Sequence, residues 1–365
     1  MAGMHDLLEL GQSVWLDYIR RGMVRRGELE DLVANGLRGL TSNPSIFEKA
    51  IGGSDEYDDE LRAAIAEDPA TTPTDLFERV AVQDIREAAD LLRGVYDETD
   101  GADGFVSLEV SPHLAHETNE TVKEAKRLWA AVDRPNLMIK VPATPVGVVA
   151  VEQLIAYGIN VNATLMFSLD HYEAIANAFV RGLRKSGNPE RMASVASFFV
   201  SRVDGVVDKK LDVIGTEEAR SLRGKAAVAN AKLAYARYEQ IFGKSFDTMR
   251  ERGARPQRVL FGSTSTKDPA YSDVKYVEEL IGPDTVNTLP PETLEAFLDH
   301  GTARTTLTEN LDDARETLTR LAALGIDMDE VTSFLQSDGV QKFADSFDQM
   351  LETIEARREA ILEPA

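Results

Sequence analysis

The sequence predicts an α/β fold, a (β/α)8 TIM barrel with extra C-terminal helices. Three observations predict it. Eight short apolar, β-branched runs are each followed by a stretch of helical spacing, up to about residue 300. Eight such units fill the roughly 250-residue plan of a barrel with modest insertions. Strand ends lack the Gly-x-Gly-x-x-Gly and P-loop patterns that would favour an open, doubly wound sheet. At 365 residues, 43% hydrophobic and 28% charged, the chain can bury a sizeable core. Residues 1–305 are expected to form the barrel and 306–365 a helical extension packed on it. No low-complexity linker divides them, so a single domain overall is expected.

The first strand candidate, residues 13–19, holds Asp17 among apolar neighbours. Helical spacing follows at 26–33 and is ended by Asn35-Gly36. Residues 37–44 form a second short strand that runs into a turn. A long helical region covers 45–97 with a break at 69–73, and Leu76, Val80, Ile85, Ala88, Leu91 and Leu92 keep close to a helical period within it. Further strands fall at 104–110, 137–141, 159–165, 194–200, 258–262 and 285–289. The helices that follow them fall at 117–132, 147–157, 169–184, 224–242, 271–281 and 292–300. Beyond residue 301 there is no strand signal, and helices are predicted at 309–323, 329–336 and 340–360.

Composition excludes several classes. The formal net charge of −22 makes nucleic acid and anionic membrane surfaces poor partners. It also requires that any anionic substrate meet a local basic pocket. Residues 1–11 lack the basic and apolar regions of a secretory signal, and no apolar run approaches the roughly 18 residues of a membrane span. The absence of cysteine excludes disulfides and thiolate chemistry and suits a cytoplasmic protein.

The stretch Leu137-Met138-Ile139-Lys140-Val141-Pro142 places a charge inside a buried strand. With a side-chain period of two, Lys140 shares a face with Met138, and Leu137, Ile139 and Val141 share the other. A lysine at such a place either reaches out to water on its long stem or serves as a nucleophile toward carbonyls. The C-terminal strand ends of a barrel converge on one mouth, and here they offer Asp17, Asn43, Glu109, Lys140, Asn162, Thr164, Ser197, Arg202, Ser263 and Lys267. An amine with two carboxylates and several amide and hydroxyl groups suits imine chemistry, the acids moving protons. An alternative is a metal-dependent aldolase, since His113-x-x-His116 followed by Glu117 fits one helical face. His5, His171 and His300 offer no evident third ligand, so a helix start with exposed histidines is the preferred reading.

The motifs Trp15-Leu16-Asp17, Thr41-Ser42-Asn43-Pro44-Ser45-Ile46-Phe47, Ser107-Leu108-Glu109, Ile139-Lys140-Val141-Pro142-Ala143-Thr144 and Asn160-Val161-Asn162-Ala163-Thr164-Leu165 resemble those of the transaldolase family, in the same order. The likeness spans the barrel and reaches Asp338-Gly339-Val340-Gln341-Lys342-Phe343 in the tail. It implies a transferase of the non-oxidative pentose phosphate pathway. The reaction moves a dihydroxyacetone unit from sedoheptulose 7-phosphate to glyceraldehyde 3-phosphate, giving erythrose 4-phosphate and fructose 6-phosphate. By the same resemblance Lys140 forms the Schiff base and Asp17 exchanges the C4 hydroxyl proton. Glu109 and Thr164 hold the water used in imine formation and hydrolysis. Asn43, Asn162 and Ser197 bind the dihydroxyacetone hydroxyls, and Arg202 and Ser263 bind the phosphate. No cofactor or metal is implied, and the protein is expected to be a monomer or homodimer.

Many transaldolases carry an arginine two residues after the strand-seven serine, where this chain has Ser265. Lys267 is expected to supply that charge, though without the planar fork of a guanidinium. The related fructose-6-phosphate aldolases typically have glutamine in place of Glu109 and tyrosine in place of Phe199, so both positions here, Phe199 at the substrate, look like transaldolase.

Overall fold

A computed structural model describes residues 2–362. Eight parallel strands close a barrel in sequence order: β1 (Gln12–Asp17), β2 (Gly39–Thr41), β3 (Phe105–Glu109), β4 (Leu137–Pro142), β5 (Val161–Met166), β6 (Ser194–Phe199), β7 (Arg258–Gly262) and β8 (Thr285–Leu289). The last strand pairs with the first, Trp15 opposite Thr288. Because side chains alternate along each strand, one set points outward and packs under the helices, including Leu16, Leu40, Leu108, Ile139, Ala163, Phe198 and Phe261.

The inward set is layered. Trp15, Phe105, Met138, Val195, Leu260 and Val286 form a separate apolar cluster that fills the barrel's lower interior. The indole of Trp15 fits because its neighbour in register is Gly39, where a Cβ would lie 2.5 Å from the ring. Its Nε1 donates to Asp103 at 2.8 Å, which fixes the ring. Two residues further along the same strands stand Asp17, Thr41, Ser107 and Lys140, the polar layer above. This period puts Met138 and Lys140 on one face, as the sequence predicts.

Several helices begin directly after the strands with an N-cap and proline. Asn43 caps Pro44–Gly52, accepting from the Ile46 amide at 3.0 Å, and Thr144 caps Pro145–Tyr157 through the Gly147 amide at 3.1 Å. The helix expected at 26–33 is Glu28–Ala34, preceded by an unexpected short helix Arg21–Arg25, and the region 45–97 is subdivided into Pro44–Gly52, Asp58–Glu67, Pro73–Leu91 and Arg93–Glu98.

Three larger departures are instructive. Ser201–Ile214 and Glu217–Leu222 are helices that the sequence reading passed over, although Val203, Val207 and Leu211 recur at every fourth position. The helix predicted at 271–281 shrinks to Lys275–Glu278, because the amide and carbonyl of Ile281 bond instead to Thr306 and Leu307. The break expected between 336 and 340 is absent: Met328–Leu362 is one helix of 35 residues. Its Gly339 lies against Leu165, and the close approach outweighs the roughly 1 kcal/mol that glycine costs in a helix.

That terminal helix runs past the helices Pro44–Gly52, Asp58–Glu67 and Pro73–Leu91. Ser346 meets Ser45 at 2.7 Å, the ring of Phe347 meets that of Phe77 at 5.6 Å, and Arg357 donates to Asp58 at 2.8 Å. Among the described residues, no helix is long and apolar enough to cross a membrane.

The Trp15–Gly39 contact gives a stability test. Gly39→Ala forces a methyl into the pinned indole and should lower stability by about 1–3 kcal/mol, the usual range for overpacking. A urea unfolding midpoint unchanged from wild type would contradict this packing.

Candidate active site

A cleft of about 950 Å³ opens at the C-terminal ends of the strands. Its walls include Asp17, Asn43, Lys140, Ser197, Phe199, Arg202, Ser263 and Lys267 from the residues singled out by sequence. The terminal helix contributes Phe334, Leu335, Asp338, Lys342 and Phe343, so it forms one side of the mouth.

Lys140 and Glu109 are opposite each other in the β3–β4 register and are only 4% and 9% exposed. Lys140 therefore does not reach out to water. Its Nζ donates to the Ser42 carbonyl at 3.1 Å and lies 3.2 Å from Glu109 Oε2. That second contact is an ion pair off the line of a hydrogen bond, since neither Glu109 oxygen has a hydrogen-bond partner among the described residues. The ring of Phe343 lies 5.5 Å from the same ammonium, within cation–π range. Burial raises the Glu109 pKa to about 7, against the opposing pull of Lys140. A carboxyl so poised exchanges protons readily near neutrality.

Asp17 faces the same space. Burial raises its pKa, while the Lys140 ammonium and the Thr41 hydroxyl oppose the shift. Thr41 Oγ1 donates to Asp17 at 2.7 Å and lies 2.8 Å from Thr288 Oγ1, so a short hydroxyl chain orients the carboxylate. Below the cleft floor, Ser197 donates to Asn162 Oδ1 at 2.6 Å, and Asn162 Nδ2 donates to Ser107 at 3.1 Å. Thr164 pairs with Pro142 across β4–β5, and its buried Oγ1 has no partner among the described residues. Asn43 spends its Oδ1 on the helix cap, which leaves its Nδ2 for a ligand.

The other end of the cleft is basic. Arg202 sits in the first turn of Ser201–Ile214, rather than on a strand end as the sequence reading had it. Its guanidinium lies over the Phe199 ring at 5.3 Å, and Phe199 meets Phe167 edge-on at 5.4 Å. Nη1 is buried without a hydrogen-bond partner among the described residues, and burial lowers the pKa. Such a group gains from meeting an anion. Ser263 holds a left-handed backbone (φ 53°), accepts from the Ser201 amide at 2.9 Å, and has its hydroxyl 3.1 Å from that of Ser201. Ser265 is buried, whereas Lys267 is exposed at the rim.

The alternative metal cluster does not assemble on a helical face. His113 lies in a short 3₁₀ turn, Pro112–Leu114, and contacts Asp348 at 2.7 Å, while His116 and Glu117 precede the helix Thr118–Val132. Sequence reasoning missed Thr288, the Ser42 carbonyl and the aromatic contact of Phe343. Thr41 and Phe343 lay within quoted motifs, but the partners each would meet were not evident there.

A closed (β/α)8 wall with an amine, two carboxylates and a basic end at its C-terminal mouth defines an aldolase-type barrel. Residues 14–354 match the family model described as Transaldolase/Fructose-6-phosphate aldolase, and the chain belongs to this family. It is 51% identical to a protein named Transaldolase from Frankia alni, covering 96% of each chain. It is 49% identical to one of that name from Thiobacillus denitrificans, over 96% of this chain and 98% of the relative. The corresponding figures for one from Thermobifida fusca are 47%, 96% and 97%.

Folding raises the Glu109 pKa from its ordinary 4.5 to about 7, so the folded state favours the protonated form. The resulting stability is complete below about 4.5 and lost as pH rises through about 7. Thermal melts across that range should show wild type losing stability relative to Glu109→Gln. Parallel curves for the two proteins would contradict a raised carboxyl.

Proposed function

We propose that the chain is a transaldolase that moves a dihydroxyacetone unit between sugar phosphates through a Lys140 Schiff base. The observation that carries this reading is the buried Lys140–Glu109 contact facing Asp17 across a cleft with a basic end. Lys140 Nζ attacks C2 of sedoheptulose 7-phosphate or fructose 6-phosphate and passes a proton toward Glu109. The carbinolamine loses water to give the imine, with Glu109 and Thr164 flanking the oxygen that leaves. Asp17 takes the C4 hydroxyl proton as the C3–C4 bond breaks, and the aldose phosphate departs. The protonated imine holds the electron pair left at C3. An acceptor aldose phosphate then adds there, Asp17 returns its proton to the new hydroxyl, and hydrolysis frees Lys140.

Asn43, Asn162 and Ser197 serve the dihydroxyacetone hydroxyls, with Phe199 beside them. Arg202 and Ser263 take the phosphate, and Lys267 adds a point charge from the rim where the family often has a guanidinium. The same reading puts the protein in the cytoplasm within the non-oxidative pentose phosphate pathway. There it acts as a monomer or homodimer, with barrel and helical tail as one domain.

Fructose-6-phosphate aldolase activity is the second reading, since the matched family includes it. Glu109 and Phe199 favour transfer over release. Borohydride trapping with fructose 6-phosphate, followed by peptide mapping, should label Lys140, and an aldose phosphate acceptor added before the borohydride should lower the labelling by discharging the unreduced intermediate. Release of free dihydroxyacetone at the turnover rate would favour the aldolase. Lys140→Ala should abolish labelling and activity, and labelling retained elsewhere would overturn the lysine assignment.

Arg202→Ala should raise KM for fructose 6-phosphate by roughly tenfold or more, as loss of a charge-assisted contact does. Equal losses with an unphosphorylated ketose would argue against a phosphate contact.

A further inference from the structure

Gln336 lies on the terminal helix at the level of the barrel rim. Its Nε2 donates to the Ala143 carbonyl at 3.0 Å and to the Leu165 carbonyl at 3.1 Å. His171 Nδ1 lies at 3.4 Å from the same nitrogen, a longer third contact. An amide has two N–H donors, and here both meet main-chain acceptors, one just past β4 and one on β5.

Those acceptors bracket Thr164. Ala143 directly follows β4, and its amide donates to the Thr164 carbonyl at 2.7 Å. Leu165 directly follows Thr164 and holds a left-handed backbone, φ 58°. It has no register partner on β4 or β6, and the β5–β6 register shifts between Ala163 and Met166. A leucine in that conformation is strained and persists only where the surroundings hold it. Gln336 is what holds its carbonyl. Three residues on, Gly339 lets the helix press against Leu165, where a Cβ would stand 3.0 Å from Leu165 Cδ2.

We propose that Gln336 is a positioning residue for the Schiff-base chemistry. By clasping the carbonyls of Ala143 and Leu165, it holds the Thr164 hydroxyl in place relative to Lys140 and Glu109 and so sets the rate of imine formation. This rests on the functional reading above. Among the described residues, the Gln336 side chain hydrogen-bonds to main chain and His171 and does not line the cleft, so it acts through Thr164 and not on the substrate.

The test uses two variants of the full chain that keep the side chain's length but lose its paired donors, Gln336→Met and Gln336→Glu. Imine formation with fructose 6-phosphate is followed by timed borohydride trapping in a single turnover, alongside KM and thermal unfolding. Imine formation should slow by roughly tenfold or more while KM for fructose 6-phosphate stays near wild type, and the melting temperature should fall only by the few degrees that two lost hydrogen bonds cost. A wild-type rate in either folded variant overturns the proposal. So does a rate that falls only in step with KM and melting temperature, since that is the mark of a general structural role. A wild-type chain that forms no imine overturns the functional reading itself, and this inference with it.

Discussion

The contact between Lys140 and Glu109 is the constraint around which the mouth of this barrel is built. Removing an ammonium and a carboxylate from water is expensive, and their mutual attraction offsets it only with good geometry and further polar partners. The barrel supplies one on the amine side, in the Ser42 carbonyl, and a ring face in Phe343. The carboxylate side is left without hydrogen bonds from the described residues, and burial raises its pKa toward neutrality. The pair is therefore held in an environment poor for the carboxylate's charge. A proton or a substrate carbonyl can relieve it.

Much of this was legible in the sequence. The alternation of Met138 and Lys140 identified the inward face of β4, and counting strand ends brought Asp17 and Glu109 to the same mouth. What stayed hidden is nonlocal. Thr41 and Thr288 are 247 positions apart, and only barrel closure brings their hydroxyls within 2.8 Å. Arg202 was singled out but placed on a strand end, because the helix Ser201–Ile214 was overlooked. The tail misled in the opposite direction. Ser337, Asp338 and Gly339 form helices weakly on their own, and packing against the rim overrode that local preference.

The electrostatic layout reconciles an acidic chain with anionic ligands. With a net charge of −22, the long-range field does not favour phosphates. Arg202 answers locally: it is partly buried, lies over an aromatic face and keeps Nη1 free of hydrogen bonds to the described residues. Lys267 and Lys342 line the same cleft from the rim and from the terminal helix, the latter paired with Asp338 at 2.7 Å.

The wall contributed by residues 334–343 also bears on modularity. The barrel closes its own hydrogen-bonded circuit by residue 289, yet one side of its mouth arrives some forty residues later on a separate helix. That helix is a single rod, so the part lining the cleft and the part lying along Pro44–Gly52 and Asp58–Glu67 share one axis. A chimera that grafted this barrel onto a foreign tail would inherit the strands and the lysine but not the surface that encloses them. Recombination within the family should therefore treat the rod and the helices it rests on as one heritable block.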